Sequence, residues 1–222
     1  MLTECLTKGN PLSQMEFIMA RRNDHSREEL QSMAIDAARA IISQEGIEGV
    51  SARKVAQKIG YTVGTLYQSF ENIHDLVLHA NAFTLSELLA ELDATTVASR
   101  DPQQRVLKIA ETYLRFAESH ERQWAAVFRH SLPRGHLMPD WYQARVDALF
   151  ALLENALRTL APRRSRQSIQ LASRTLWSSV HGICILHTGD KLFSDSIASP
   201  QALLQSLVKH YLHSWLNEGK SG

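Results

Sequence analysis

SARKVAQKIGYTVGTLYQSF, residues 51–70, reads as two short helices joined by a tight turn. Ser51 offers a side-chain oxygen to the free N–H groups of a helix start, and Val55, Ala56 and Ile59 then recur at helical spacing. Gly60 falls where a helix closes through a left-handed residue, a conformation glycine adopts without steric cost. Thr62 is placed to cap a second helix, whose apolar face continues through Val63 and Leu66. Tyr61, Thr65, Tyr67 and Gln68 are left pointing outward. This is a helix-turn-helix pattern, in which the second helix enters the major groove of DNA.

The flanks extend that unit. Ser26 and Glu29 have the spacing of a capping box, and Leu30, Met33, Ala34, Ala37, Ile41 and Ile42 mark one apolar face to about Gln44. This first helix is the platform for the two motif helices, with Gly46 and Gly49 in the connecting turn. After Phe70, Asn72 can cap a fourth helix that is apolar on more than one side from Leu76 to Leu92, as a connector between two packed units must be. Asp93 to Asp101 breaks the pattern, and Asp101-Pro102 starts a fifth helix. A sixth covers Gln123 to His130, and Pro133, Gly135 and Pro139 interrupt the chain before a seventh near Trp141, which Pro162 ends. An eighth spans roughly Arg166 to His187, and Ser199-Pro200 opens a ninth. With no convincing strand, the expected fold is all-α, about nine helices, with a helix-turn-helix domain over 26–80 and a helical effector-binding and dimerisation domain over 81–218.

Residues 1–25 read as a flexible extension. Met19-Ala20-Arg21-Arg22 resembles a natural protein start, which would leave residues 1–18 outside the folded unit. Arg21 and Arg22 fit either an arm that reaches phosphate or the minor groove, or a solvated pair on a loose end.

The formal net charge is +1, and residues 21–70 hold seven Lys/Arg against six Asp/Glu, so bulk charge supplies no pull toward nucleic acid. Affinity for phosphate must come from placed cations and helix N-termini. Cys5 and Cys184 lie too far apart in sequence and context to make a metal or disulfide pattern, which fits a reducing cytoplasm. No stretch approaches the ~20 apolar residues that span a bilayer, and no export signal opens the chain. The expected location is cytoplasmic, nucleoid-associated when bound to DNA.

Ser26 to Ala80 resembles the DNA-binding domain of the TetR family of transcriptional regulators. The resemblance rests on the capped first helix, Gly46, Ser51-Ala52-Arg53, Val55-Ala56, Gly60, the run Thr62-Val63-Gly64-Thr65-Leu66-Tyr67, Phe70 and Asp75-Leu76. It implies that Arg53 contacts DNA and that Tyr61, Thr62, Thr65, Tyr67 and Gln68 face base edges or phosphates. The chemistry agrees: a tyrosine hydroxyl donates to phosphate, threonine offers a hydroxyl and a methyl, and glutamine pairs bidentately with adenine. Where the family usually has a lysine near the start of the fourth helix, this chain has Ile73, so that phosphate contact is missing. Trp177-Ser178-Ser179-Val180-His181-Gly182 is similar to the Trp…His-Gly signature of a C-terminal domain in one group of these regulators. Nothing about the ligand transfers, because these C-terminal domains diverge with their effectors.

Tyr113, Trp124, Phe128, His130, Trp141 and Tyr142 cluster in the middle of the chain and form the candidate pocket for a small apolar or aromatic molecule; the alternative is that some of them simply fill the core. His181, Cys184 and His187 share one broad helix face, but His181 and His187 sit about 120° apart and no fourth ligand is evident, so neither metal nor cofactor is expected. Helix nine is apolar on more than one side. Trp177, Val208, Tyr211, Leu212 and Trp215 are therefore the candidate dimerisation residues of a two-fold interface.

The resulting expectation is a homodimeric regulator, a repressor released from a near-palindromic operator on double-stranded DNA by a small-molecule effector. The alternative is a DNA-bound interaction protein that recruits a protein partner without sensing a ligand. No nucleophile–base pair, paired carboxylates or phosphate loop stands at informative spacing, so an enzyme is not expected.

Overall fold

The computed structural model describes residues 25–98, 101–191 and 199–218. Cys5, the short turn region before Ala20 and the Arg21–Arg22 pair lie outside the described residues. Among those described there are nine α-helices and no strand. They are α1 (Arg27–Glu45), α2 (Ala52–Ile59), α3 (Val63–Leu66), α4 (Ile73–Ala98), α5 (Pro102–Ser119), α6 (Glu121–Arg129), α7 (Asp140–Leu160), α8 (Arg166–Thr188) and α9 (Pro200–Asn217). No helix among them is long and apolar enough to cross a membrane.

The helix starts follow from short polar side chains at the caps. Ser26 and Glu29 close a reciprocal capping box on α1, with Glu29 N–H donating to Ser26 Oγ at 3.2 Å. Asn72 Oδ1 accepts from Asp75 N–H at 3.0 Å to open α4, and Asp101 Oδ1 accepts from Gln103 N–H at 3.0 Å to open α5. Ser165 and Ser199 cap α8 and α9 in the same way.

One boundary departs from the sequence reading. α4 continues through Asp93, where a break was expected, to Ala98. Its last turns are polar and part-exposed, yet they are held: Thr95 Oγ1 donates back to Glu91 O at 2.9 Å and lies 3.1 Å from Thr112 Oγ1 on α5.

α4 contributes to every apolar cluster. Leu76 and Ala80 pack with α1, α2 and Phe70; Leu78, Ala82 and Leu85 pack with Tyr142 of α7; Leu88 and Leu92 enter the main core formed with α5, α7, α8 and α9. Each fully buried leucine contributes about 2 kcal/mol, so the helix cannot shift in one cluster without cost in the others. A displacement of either end is thereby transmitted along its length.

Candidate DNA-reading head and ligand cavity

The reading head is built by two caps and a glycine. Ser51 accepts from Lys54 N–H to start α2, and Gly60 closes it at φ 78°, ψ 23°. Thr62 Oγ1 then accepts from Thr65 N–H at 3.2 Å and lies 2.9 Å from Thr65 Oγ1. α3 is a single turn, extended by tighter bonds from Gln68 N–H to Thr65 O and Ser69 N–H to Leu66 O. Leu66 and Phe70 are buried, which turns Tyr67, Thr62 and Gln68 outward, Tyr67 with 44% of its surface exposed. Arg53 is exposed at the start of α2. Thr65 is half-buried, and so is Tyr61, whose hydroxyl lies 2.8 Å from His25 Nδ1. Lys54 Nζ reaches Glu45 Oε2 at 2.5 Å, leaving it pinned to α1. Ile73 packs against the core of the reading head and offers no charge to phosphate.

A cavity of about 220 Å³ lies behind the reading head, walled by α4, α5, α6, α7, α8 and Val208 of α9. Tyr113, Phe128, His130 and Tyr142 line it. Trp124 and Trp141, expected beside them, do not. Trp124 is buried in the core against Tyr113, Phe128 and His181, and Trp141 stacks on His79 with ring centroids 4.5 Å apart. Most of the remaining wall is aliphatic, from residues whose regular spacing gave no sign of a pocket. Phe128 and Met138 line the cavity yet remain 38% and 42% exposed, which marks its opening.

Trp177 also belongs to the cavity wall rather than to a free surface. It stacks on His181 at 5.0 Å, and His181 Nδ1 lies 2.8 Å from the Tyr113 hydroxyl. Burial holds His181 below the ordinary histidine value and pushes the Tyr113 phenol above its usual range. Burial likewise pushes Tyr142 up to about 12. Cys184 is fully buried, its thiol pushed up to about 12 by burial and then by Glu118, while His187 Nε2 lies 2.8 Å from Glu118 Oε1. His181 thus turns to Tyr113, while His187 and Cys184 both lie under the influence of Glu118. No group of three His, Cys, Asp or Glu among the described residues is arranged to hold a metal.

The dimerisation residues need correction. Val208, Leu212 and Trp215 are 3%, 3% and 5% exposed, packed into this subunit's own core. Tyr211 is half-buried against the same core. The sequence pattern could not separate a helix that is apolar toward its own neighbours from one apolar toward a second chain.

Side-chain contacts missed in the sequence connect the cavity to the reading head. His130 Nε2, at the end of α6, lies 3.2 Å from His74 Nδ1 in the first turn of α4. Burial, and then His74, hold His130 below its ordinary value. Arg122 of α6 donates to Ser43 O at 3.2 Å and to Gln44 O, carbonyls left free at the end of α1. Asn81 Nδ2 donates to Ala126 O at 3.3 Å, and Trp141 of α7 covers His79 of α4. The helices that wall the cavity are the ones that grip the reading head.

The comparisons with known proteins agree with this geometry. Residues 34–80 match the family described as "Bacterial regulatory proteins, tetR family", and residues 106–211 match "Tetracyclin repressor-like, C-terminal domain". The chain is 27% identical over 195 residues to the uncharacterized HTH-type transcriptional regulator YobS of Bacillus subtilis, covering 86% of this chain and 95% of that protein. It is 35% identical over 81 residues to the HTH-type transcriptional repressor KstR of Mycobacterium tuberculosis, covering 36% of this chain and 37% of that one. In fold it is similar to the transcriptional regulator FadR from Bacillus subtilis, solved in complex with stearoyl-CoA, with a TM-score of 0.61, 14% identity and coverage of 81% and 96%. The helix-turn-helix on its capped platform and the helical domain behind it, each matched in sequence, make this chain a member of the TetR family of DNA-binding transcriptional regulators.

Proposed function

We propose that the chain is a homodimeric repressor that leaves its operator when a small apolar molecule fills the cavity. The observation that carries this reading is the shared wall: His130 lines the cavity and bonds His74 at the root of α4, three residues beyond the reading head's Phe70–Glu71. A ligand that rearranges α6 or the start of α7 must disturb the His74–His130 contact, the Arg122 bonds to α1 or the Trp141–His79 stack. Each of these sets the angle of the reading head on α4. Operator release follows when the ligand binds the altered spacing better than the DNA-competent one. The repressor KstR and the ligand-bound FadR are relatives and neighbours of a kind that supports this reading.

In this reading Arg53, Tyr61, Thr62, Thr65, Tyr67 and Gln68 contact DNA, and two reading heads occupy successive major grooves of a near-palindromic site. The dimer face is the outer side of α8. Leu171 and Ile185 are 67% and 47% exposed there, and Gly182 lies between them on the same stripe. Beyond the backbone of its own helix, nothing among the described residues stands within 4 Å of the position a Cβ on Gly182 would take. Its bareness therefore serves no neighbour within the subunit and permits a second helix to approach.

The test is footprinting of the purified protein on DNA upstream of its own coding sequence, with and without a panel of apolar metabolites. Protection of a near-palindrome that disappears with one of them is the expected result. Protection that no ligand alters, together with a protein that co-purifies on the DNA, would favour a recruiting role instead.

A further inference from the structure

The cavity wall carries a tyrosine hydroxyl that bonds no other residue among those described. Tyr142 is 4% exposed and lines the cavity, and its hydroxyl makes no hydrogen bond among the described residues. The other oxygen and imidazole groups on the wall are already engaged, Tyr113 with His181 at 2.8 Å and His130 with His74 at 3.2 Å. Facing the cavity, the Tyr142 hydroxyl is left to donate to a ligand oxygen placed there.

Shape and charge narrow what that ligand is. Lining residues of α4 run from Leu78 to Leu92, which spans ~21 Å along the helix. The volume of about 220 Å³ spread over that length is a narrow channel, below the ~300–1,000 Å³ of sites that hold compact drug-sized molecules. Tyr142 packs with Leu78, Ala82 and Leu85 at the reading-head end. The wall also holds the aliphatic Leu88, Leu92, Val106, Ile109, Leu153 and Val208, with Tyr113, Phe150 and Trp177. Among the described residues no Lys, Arg, Asp or Glu lines the channel, so an ionised head group inside would lose its hydration with no counter-ion there.

We propose that the channel takes a neutral, slender apolar molecule with a single hydroxyl or carbonyl oxygen, bonded to Tyr142, its chain running along α4 toward Val208. This rests on the reading of the cavity as the effector site, and it adds the ligand's class, its polarity and its direction. Because the oxygen is held beside Leu78, the ligand's only polar end lies at the junction with the reading head. The hydrocarbon end lies against α9.

Decanol and decanoate are suitable probes, titrated calorimetrically into the full-length protein and its Tyr142→Phe variant at neutral pH, without DNA. Decanol is expected to bind the parent protein, and the variant to bind it about five- to tenfold more weakly, the loss of one hydrogen bond. Decanoate, ionised at this pH, is expected to bind more weakly than decanol and to tighten as pH falls toward its own ionisation. Without ligand, Tyr142→Phe is expected to melt no lower than the parent protein, because the hydroxyl it removes bonds no other residue among those described. Equal decanol affinity in parent and variant overturns the assignment, as does decanoate binding as tightly as decanol at neutral pH, or no decanol binding at all. A Tyr142-dependent decanol site that leaves operator affinity unchanged upholds this inference and removes the regulatory reading. Operator release by a charged ligand insensitive to Tyr142→Phe does the reverse.

Discussion

Tyr67 stands on the outer side of a one-turn helix with 44% of its surface in solvent, while its neighbour Leu66 is 3% exposed. A large ring held out by a buried neighbour contributes little to stability, so Tyr67→Ala is expected to change stability by less than about 0.5 kcal/mol. The same change is expected to weaken operator binding about fivefold for each copy of the reading head, the worth of one hydrogen bond. Unaltered affinity in a footprinting titration would remove Tyr67 from the interface. Arg53 is exposed and forms no ion pair among the described residues, unlike Lys54, which Glu45 holds. Arg53→Ala is expected to lower the salt dependence of binding by about one phosphate contact per subunit. An unchanged slope of affinity against salt would point to base reading or to no contact. The histidines give a further residue-scale expectation. His79, His130 and His181 are all held below the ordinary value, chiefly by burial, with Asp75 opposing the effect at His79. Unfolded histidine takes its proton near pH ~6.5, whereas these three resist it in the folded state. As pH falls through that value the unfolded chain binds more protons, and stability is lost down to the folded-state values. The melting temperature is therefore expected to be highest above about pH 7 and to decline below about 6.5. His130→Gln should flatten that decline.

At the scale of elements, caps and glycines were legible because each is a local matter of which side chain can satisfy an orphan N–H. Ser26–Glu29, Ser51, Thr62, Asn72 and Asp101 all act as their spacing indicates. The polar end of α4 was not legible, since Thr95 and Asp93 read as a break until the contact with Thr112 is known. The candidate site divided in the same way. Tyr113, Phe128, His130 and Tyr142 reach the cavity, but which aromatic rings face it depends on how α5, α6 and α7 rotate against one another. Trp124 and Trp141 are large enough to fill interhelical space, and they do so. Arg122 gave no signal at all, because its partners are backbone carbonyls remote in sequence. That contact gives the element-scale prediction. Arg122→Ala is expected to lower stability by about 1 kcal/mol, the usual net value of such hydrogen bonds. It should leave ligand affinity in the isolated protein unchanged while reducing the factor by which ligand weakens operator binding. Full coupling in the variant, measured as operator affinity with and without ligand, would show that α6 does not carry the signal to α1.

For the whole molecule in the proposed dimer, the decisive quantity is the separation of two reading heads, and that would depend on which faces of α8 and α9 meet a second copy. The apolar pattern of α9 mixed two kinds of residue. Leu212 at 3% and Trp215 at 5% exposure close the subunit's own core, where Trp215 Nε1 donates to Ser168 Oγ at 3.3 Å and Arg164 lies over its ring. Leu171 and Ile185 of α8 remain exposed on the stripe that includes Gly182, and an apolar stripe with no cover in the monomer is the surface a two-fold partner would use. The two sets respond differently to charge. Leu212→Asp places a carboxylate in a packed core and is expected to unfold the subunit, so a loss of dimer there would say nothing about the interface. Leu171→Glu changes a residue that is 67% exposed and is expected to leave the monomer's melting temperature and helicity intact. In a two-fold interface each substitution appears twice, and two carboxylates facing across it cost at least about 3 kcal/mol, or more than a hundredfold in dimer dissociation. Sedimentation equilibrium is expected to find the Leu171→Glu protein monomeric at concentrations where the parent is dimeric, with operator affinity lost in parallel. A Leu171→Glu protein that stays dimeric at nanomolar concentration would take the outer face of α8 out of the interface, and with it the role assigned to Gly182.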